Sequence, residues 1–438
     1  MQFTSKEIRH ITYPVLISLL MQQLIGLTDT AYLGRVGEVE LGASAVASMY
    51  YLAIYMLGFG FSVGAQILIA RRNGEKQYHR IGAIFMQGTL FLLVIATCVF
   101  ILSKVYSPQL LHLMIKSKDV YHAAIDYMDW RVYGFFFSFI SVMFRAFYIG
   151  TTQTKTLTIN SVVMVLTNMI LNYILIFGKL GFPAMGIAGA AIASSISEAV
   201  SVIFFCIYTH QKVNYKLYRL FHFASFKIKT LLEILNVSFW TMIQSFISTG
   251  SWLVFFIAIE HLGERSLAIT NIVRNTSALL FIFVNAFAST GSSLVSNLIG
   301  NGEIKKVMPL CNNIIRNCYC FVIPLAIIIA IFPTMFLRIY TDTPDLIANA
   351  LPSLWVMLSA YIVAVPAFVY FFAVSGTGST RSTLFIELCS LYVGYIVYIA
   401  VYLKMDVAIC WTSDIVYYAM IFTSFFYLWK GNWQNKKI

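Results

Sequence analysis

The sequence predicts an all-α polytopic membrane protein with twelve transmembrane helices in two pseudo-symmetric six-helix bundles. Three observations carry this expectation. First, 59% of the 438 residues are hydrophobic and only 11% are charged, with a mean hydropathy of +0.79; soluble domains carry about 25% charged residues. Second, the apolar residues fall in continuous runs of about 20, the length that spans a bilayer as a helix. A chain in lipid must close its own backbone hydrogen bonds, and a barrel would show strands of about ten residues with alternating polarity. Third, the two halves of the chain repeat.

Polar punctuation sets the elements in order. The first six apolar segments run over 11–33, 41–70, 81–105, 124–149, 157–177 and 185–208. A polar stretch with five Lys/Arg follows at 209–229. Six more segments run over 231–259, 267–299, 307–339, 348–374, 383–403 and 407–429. The expected organisation is an N-terminal six-helix lobe (1–208), a cytoplasmic linker (209–229) and a C-terminal six-helix lobe (230–438).

The net charge is +12. In a soluble chain that would suggest nucleic acid, but here basic loops holding cytoplasmic ends are the better reading, and no nucleic-acid partner is expected. Of the 30 Lys and Arg, 20 fall on the side shared by both termini, nine on the other, and Arg274 lies within a span. Both termini are therefore expected in the cytoplasm of a multi-pass plasma (inner) membrane protein. Residues 5–10 are polar and run straight into the first span, so no cleavable signal peptide is expected. The seven cysteines lie in or beside apolar segments without a CxxC pair and read as reduced packing residues.

The repeat is weak but ordered. YLGRVGEVELGASAVA (32–47) matches AIEHLGERSLAITNIV (258–273), with Gly37 on Gly263. VGAQILIARRNGEK (63–76) matches TGSSLVSNLIGNGEIK (290–305), and SSISEAV (194–200) matches CWTSDIV (410–416). An even number of spans per half makes the repeat parallel, an arrangement that builds a cavity between two lobes.

These segments also resemble the multidrug and toxic compound extrusion (MATE) transporters. LTDTAYLGRVGEVELGASAVA resembles that family's first-span aspartate followed by Gly-x-x-Gly, and VGAQILIARRNGE its ending of span 2. INSVVMVLTNMILNYILIFG resembles its fifth span and GIAGAAIASSISE its sixth. The resemblance implies two bundles forming a V, alternating access, and cation-coupled export of amphipathic, often cationic compounds.

An ionisable group inside a span is costly and therefore a functional candidate. The acids that qualify are Asp29, Glu198, Asp414, Glu387 and Glu260. A carboxylate whose surroundings alternate between dry and wet can take up and release H⁺ or Na⁺; the bland alternative for Asp29 is a hydrated outer helix end. The resemblance places the N-lobe cation site on Asp29. Asn168 and Asn172 are four apart and share a helix face. Their amide oxygens suit Na⁺ or a protonated acid, or they serve as interhelical glue. The family carries an asparagine at Asn168 and often an aspartate at Asn172, a carboxylate this chain lacks. Ser194 matches a hydroxyl of the family's cation pocket, and Glu198 lies one turn further on the same face. Glu198 is expected to replace the missing charge; a structural salt bridge is the alternative, but no basic residue of the first six spans is expected at that depth.

In the second half, Arg274, Glu387 and Asp414 form a possible polar site. An Arg274–Asp414 or Arg274–Glu387 pair is the structural alternative. Glu260 reads as an outer-loop residue. Ser248, Thr249 and Ser251 stand where some family members carry an acid early in span 7. Pro14 either bends span 1, as the resemblance implies, or sits at a helix start. Gly58, Gly60 and Gly64 read as close helix packing. The seven histidines never cluster with metal-ligand spacing, no catalytic motif is present, and no metal beyond a possible Na⁺ and no cofactor is expected.

The functional expectation is a non-enzymatic, monomeric secondary transporter, seated in the lipid bilayer, that exports amphipathic or cationic small molecules in exchange for H⁺ or Na⁺. The rival reading is a flippase for lipid-linked saccharide precursors. Such a protein would line its cavity with several basic residues, and only Arg274 is expected to be well buried.

Overall fold

The computed structural model describes residues 3–115, 117–221, 227–260, 264–341, 343–397 and 407–431. Among the described residues sixteen α-helices follow one another: α1 (Ser5–Leu33), α2 (Glu38–Gly74), α3 (Tyr78–Met114), α4 (Lys118–Arg131), α5 (Gly134–Gly150), α6 (Lys155–Phe177), α7 (Gly186–Lys212), α8 (Tyr215–Tyr218), α9 (Ile228–Glu260), α10 (Glu264–Gly300), α11 (Val307–Ile331), α12 (Pro333–Leu337), α13 (Pro344–Gly376), α14 (Thr380–Leu391), α15 (Val407–Ile421) and α16 (Ser424–Lys430). No strand occurs among the described residues.

Among the described residues ten helices are long and apolar enough to cross a membrane, and α4 with α5, bent by 53° at their junction, pass the same test when taken together as one span. The predicted span 383–403 begins as α14, winds wider as a π-helix over Tyr392–Val397, and ends outside the described residues. Each segment is a helix because an apolar run leaves its amides no acceptor but the preceding turn.

The chain divides into two compact units. The first holds residues 17–242, and the second holds 1–16 with 243–438. In the first, α2 packs on α4 and α5, and α7 on α4, α5 and α6. In the second, α13 is the central helix, against α10, α11 and α15. Its core gathers Phe287, Leu294, Phe371 and Trp411, all 2% exposed or less.

The repeat has a packing signature. The 226-residue offset that carries Gly37 onto Gly263 also carries Gly150 onto Gly376 and Gln66 onto Ser292. A Cβ on Gly150 would lie 3.2 Å from the Gln66 carbonyl oxygen, and one on Gly376 would lie 2.3 Å from that of Ser292. Each unit thus seats the end of its fourth span on the backbone of its second, where no side chain fits. The predicted close packing of span 2 holds as well. A Cβ on Gly58 would meet the Phe139 ring at 2.5 Å, and one on Gly64 would meet Ser238. Thr241 donates to the Gly60 carbonyl at 2.7 Å.

Pro14 lies inside the continuous helix α1, not at its start, which corrects the helix-start alternative. It stands two residues before the point where α1 passes from one compact unit to the other.

Candidate functional site

Four of the predicted residues converge in the first unit. Asn168 and Asn172, one turn apart on α6, are both fully buried. Asn172 donates to Asp29 Oδ1 of α1 at 2.5 Å and to Asn168 Oδ1 at 3.0 Å. Ser194 of α7 donates to Asp29 Oδ2 at 3.3 Å and accepts from Asn168 at 3.2 Å. A half-buried carboxylate therefore sits among neutral amides and a hydroxyl. The Asn172 Oδ1 atom is buried and has no hydrogen-bond partner among the described residues. A buried acceptor left unmade costs about 1–3 kcal/mol. Oxygens of this kind, with no thiol or imidazole among them, are the donors a hard monovalent cation takes; the same oxygens could accept from a protonated Asp29.

Glu198 does not complete this cluster directly. Arg131, the last residue of α4, grips it with two hydrogen bonds of 2.7 and 3.0 Å. The side chains of the pair are 10% and 16% exposed. Tyr51 of α2 donates to the same carboxylate at 3.1 Å, and the guanidinium lies 3.6 Å from the centre of its ring. The expectation that no basic residue lies at the depth of Glu198 is corrected. Arg131 stands at the end of α4, where the fourth span bends by 53° into α5, and its side chain meets Glu198 of α7. The Arg131 charge also acts on Asp29, so the two clusters are electrically linked.

The expectation that only Arg274 is well buried is corrected too. Arg71, Arg131 and Arg145 are each 9% exposed or less. Arg274 is half-buried and reaches Asn271 at 3.3 Å.

In the second unit, Glu387 is 1% exposed. It accepts from Ser248 of α9 and from Tyr417 of α15, each at 2.8 Å. No ion pair joins it to Arg274 among the described residues, so that suggested pairing does not form. Asp414 is 2% exposed and lies within electrostatic reach of Tyr361 and Tyr418. Among the described residues Glu387 is thus held by hydroxyls and not by Arg274. None of the seven cysteines is joined in a disulfide among the described residues.

Sequence reasoning missed Arg131, Tyr51 and Tyr417. The signal for Arg131 was present: it stands seven residues inside the predicted span 124–149, at a depth where a charge needs a partner.

The MatE family model matches residues 14–174 and 241–400. A "Probable multidrug resistance protein NorM" of Thermotoga maritima is 23% identical over 99% of this chain and 94% of its own length. A MOP superfamily transporter from Pyrococcus furiosus superposes with a TM-score of 0.90 at 17% identity, covering 99% of this chain and 97% of that one. An outward-facing multidrug resistance MATE family transporter gives 0.87 at 18% identity, covering 98% and 95%. With a family match over both halves and the fold shared end to end, the chain belongs to the MatE family, the multidrug and toxic compound extrusion transporters.

Proposed function

We propose that this chain is a secondary active multidrug exporter of the plasma membrane, with both termini cytoplasmic. It exchanges amphipathic, often cationic compounds for inward-moving H⁺ or Na⁺. The NorM name of its relatives supports the efflux reading, and the geometry around Asp29 supports the coupling.

The single observation that carries it is the buried, unfilled Asn172 Oδ1 beside the Asp29 carboxylate. A cation entering between Asp29, Asn168, Asn172 and Ser194 satisfies that oxygen and neutralises the carboxylate. Glu198 bears on the pocket through Arg131: it holds the guanidinium in place, and the guanidinium sets the field at Asp29. Loss of the Asp29 charge on cation binding changes the balance between these groups and favours one facing of the transporter over the other. Coupling requires only that the two facings differ in cation affinity. Pro14 removes one backbone bond from α1, two residues before the boundary of the first unit, and is the place where α1 can bend as the pocket fills.

The test is efflux of a cationic dye from cells under an imposed pH gradient or Na⁺ gradient, with wild type and Asp29→Asn side by side. Gradient-dependent efflux in wild type that is lost in the variant supports the proposal. Dye movement indifferent to both gradients and to Asp29 contradicts it.

A further inference from the structure

The first unit holds a second buried guanidinium, without the partners that Arg131 has. Arg145 of α5 is 8% exposed. Its guanidinium lies 5.9 Å from the centre of the Phe59 ring on α2, and its charge acts on Tyr55, one turn earlier on that helix. The Tyr55 and Phe59 rings stack at 6.2 Å with an interplanar angle of 29°. Among the described residues, no carboxylate pairs with Arg145, no oxygen accepts its N–H groups, and nothing hydrogen-bonds the Tyr55 hydroxyl.

Arg131 and Arg145 make an internal comparison. Both lie beside the aromatic ladder Tyr51, Tyr55 and Phe59 on α2, Arg131 against the Tyr51 ring at 3.6 Å and Arg145 at 5.9 Å from the centre of the Phe59 ring. Arg131 is matched by a two-point carboxylate, the usual structural solution for a buried guanidinium. Arg145 is left with all five donors beside a phenol whose donor is also unused. Neither the Arg145 nitrogens nor the Tyr55 hydroxyl is among the fully buried unpartnered atoms, so both open onto accessible space where an anion can reach them, and an anion lowers the cost of a charge in a span.

We propose that Arg145, Tyr55 and Phe59 form an oxyanion subsite for the carboxylate of a flat aromatic amphipath. The guanidinium fork takes both carboxylate oxygens, the Tyr55 hydroxyl donates to one of them, and the stacked rings receive the apolar body. The subsite rests on the reading of this chain as an exporter of amphipathic compounds, and it adds acid-bearing molecules to the cationic ones. Arg145 stands five residues before the end of α5, on the side that the Lys/Arg distribution places in the cytoplasm, where a compound awaiting export would be collected.

The test uses the purified full-length protein in detergent and three probes that share one ring system: pyrenebutyrate, its neutral methyl ester and pyrenebutyltrimethylammonium. Binding is followed by fluorescence anisotropy. Wild type should bind the carboxylate more tightly than the ester. Arg145→Gln should weaken the carboxylate about tenfold or more, the scale of a lost charge-assisted contact, and leave the other two within about twofold. Arg145→Lys should fall between, and Tyr55→Phe should weaken only the carboxylate, by about threefold. If Arg145→Gln is not monodisperse, Arg145→Lys and Tyr55→Phe carry the test, and no carboxylate-specific change in either overturns the proposal. Equal loss of all three probes also overturns it. So does an anionic phospholipid that co-purifies with wild type, is absent from Arg145→Lys, and is not displaced by pyrenebutyrate; that result makes the pocket a lipid site. Asp29→Asn should retain carboxylate binding. A wild type that binds pyrenebutyrate through Arg145 but exports nothing would sink the efflux reading and leave the subsite standing.

Discussion

The two compact units repeat a scaffold and fill it with opposite chemistry. In the first, Asp29, Asn168 and Ser194 meet in a polar pocket. The 226-residue offset puts Phe255 at the place of Asp29 and Gly394 at that of Asn168, and the sixth-span register puts Cys410 at that of Ser194. Phe255 is fully buried, edge-on to Trp411 with ring centres 5.6 Å apart. A Cβ on Gly394 would meet the Tyr417 backbone at 2.9 Å, so the helices close where the first unit leaves room for amides. The two buried acids of the second unit sit elsewhere, Asp414 at the place of Glu198 and Glu387 in the fifth span. Glu387 stands at the level of Ser161, which bonds Ser18 of α1, and its partner Tyr417 stands at the level of Ser201, which bonds Asn160. Glu387 therefore occupies a position that the first unit uses to tie its helices together. The comparison teaches that a shared fold does not duplicate a site: the first unit leaves a polar pocket around a carboxylate at a level where the second unit closes its helices on aromatic packing.

This asymmetry can be broken experimentally. The largest effect is expected from Asp29→Asn, which keeps the hydrogen-bonding shape and removes the charge. Gradient-driven dye efflux should fall to background, about 100-fold or more if one carboxylate carries the coupling, while protein yield and melting temperature stay near wild type. Next comes Glu198→Gln. It leaves Arg131 buried without its counter-charge, and breaking such a pair costs about 3–5 kcal/mol. A melting temperature lowered by several degrees checks this, and pairing the change with Arg131→Met should recover much of the loss.

Phe255→Ala should destabilise by about 3 kcal/mol through the cavity it opens, read as a lower melting temperature. Transport per folded molecule should stay close to wild type, because no cation site is lost. The smallest effect belongs to Glu387→Gln. The amide oxygen still accepts from Ser248 and Tyr417, so stability should change by about 1 kcal/mol or less and gradient-driven efflux by less than about twofold. If Glu387→Gln instead abolishes coupling, the second unit has a cation site of its own and the comparison fails.

How much of this was legible in the sequence follows from the range of each signal. Span positions and the meeting of Asn168 with Asn172 are local, set by apolar runs and a four-residue spacing. Their meeting with Asp29 and Ser194 is long-range and was legible through the family resemblance. The Arg131–Glu198 pair was not. It depends on the 53° break after α4; Gly134 and the charged residues within 126–131 stand at that break, but they do not say which acid Arg131 meets. The Glu387 partners escaped for the same reason. Tyr417 is one of many tyrosines in apolar segments, and only packing selects the one whose hydroxyl faces an acid. The Phe255 contrast was also out of reach, since an aromatic residue in an apolar run reads as packing whether or not its repeat partner is an acid.

The account stands or falls on displacement of a cation from the Asp29 pocket when a compound binds. Isothermal calorimetry of the purified protein with a cationic dye, in buffers of different ionisation enthalpy and with Na⁺ present or absent, counts the protons or sodium ions released. The account predicts about one cation released per dye bound in wild type and in Glu387→Gln, and none in Asp29→Asn. Undiminished release from Asp29→Asn, or release lost in Glu387→Gln, would contradict it.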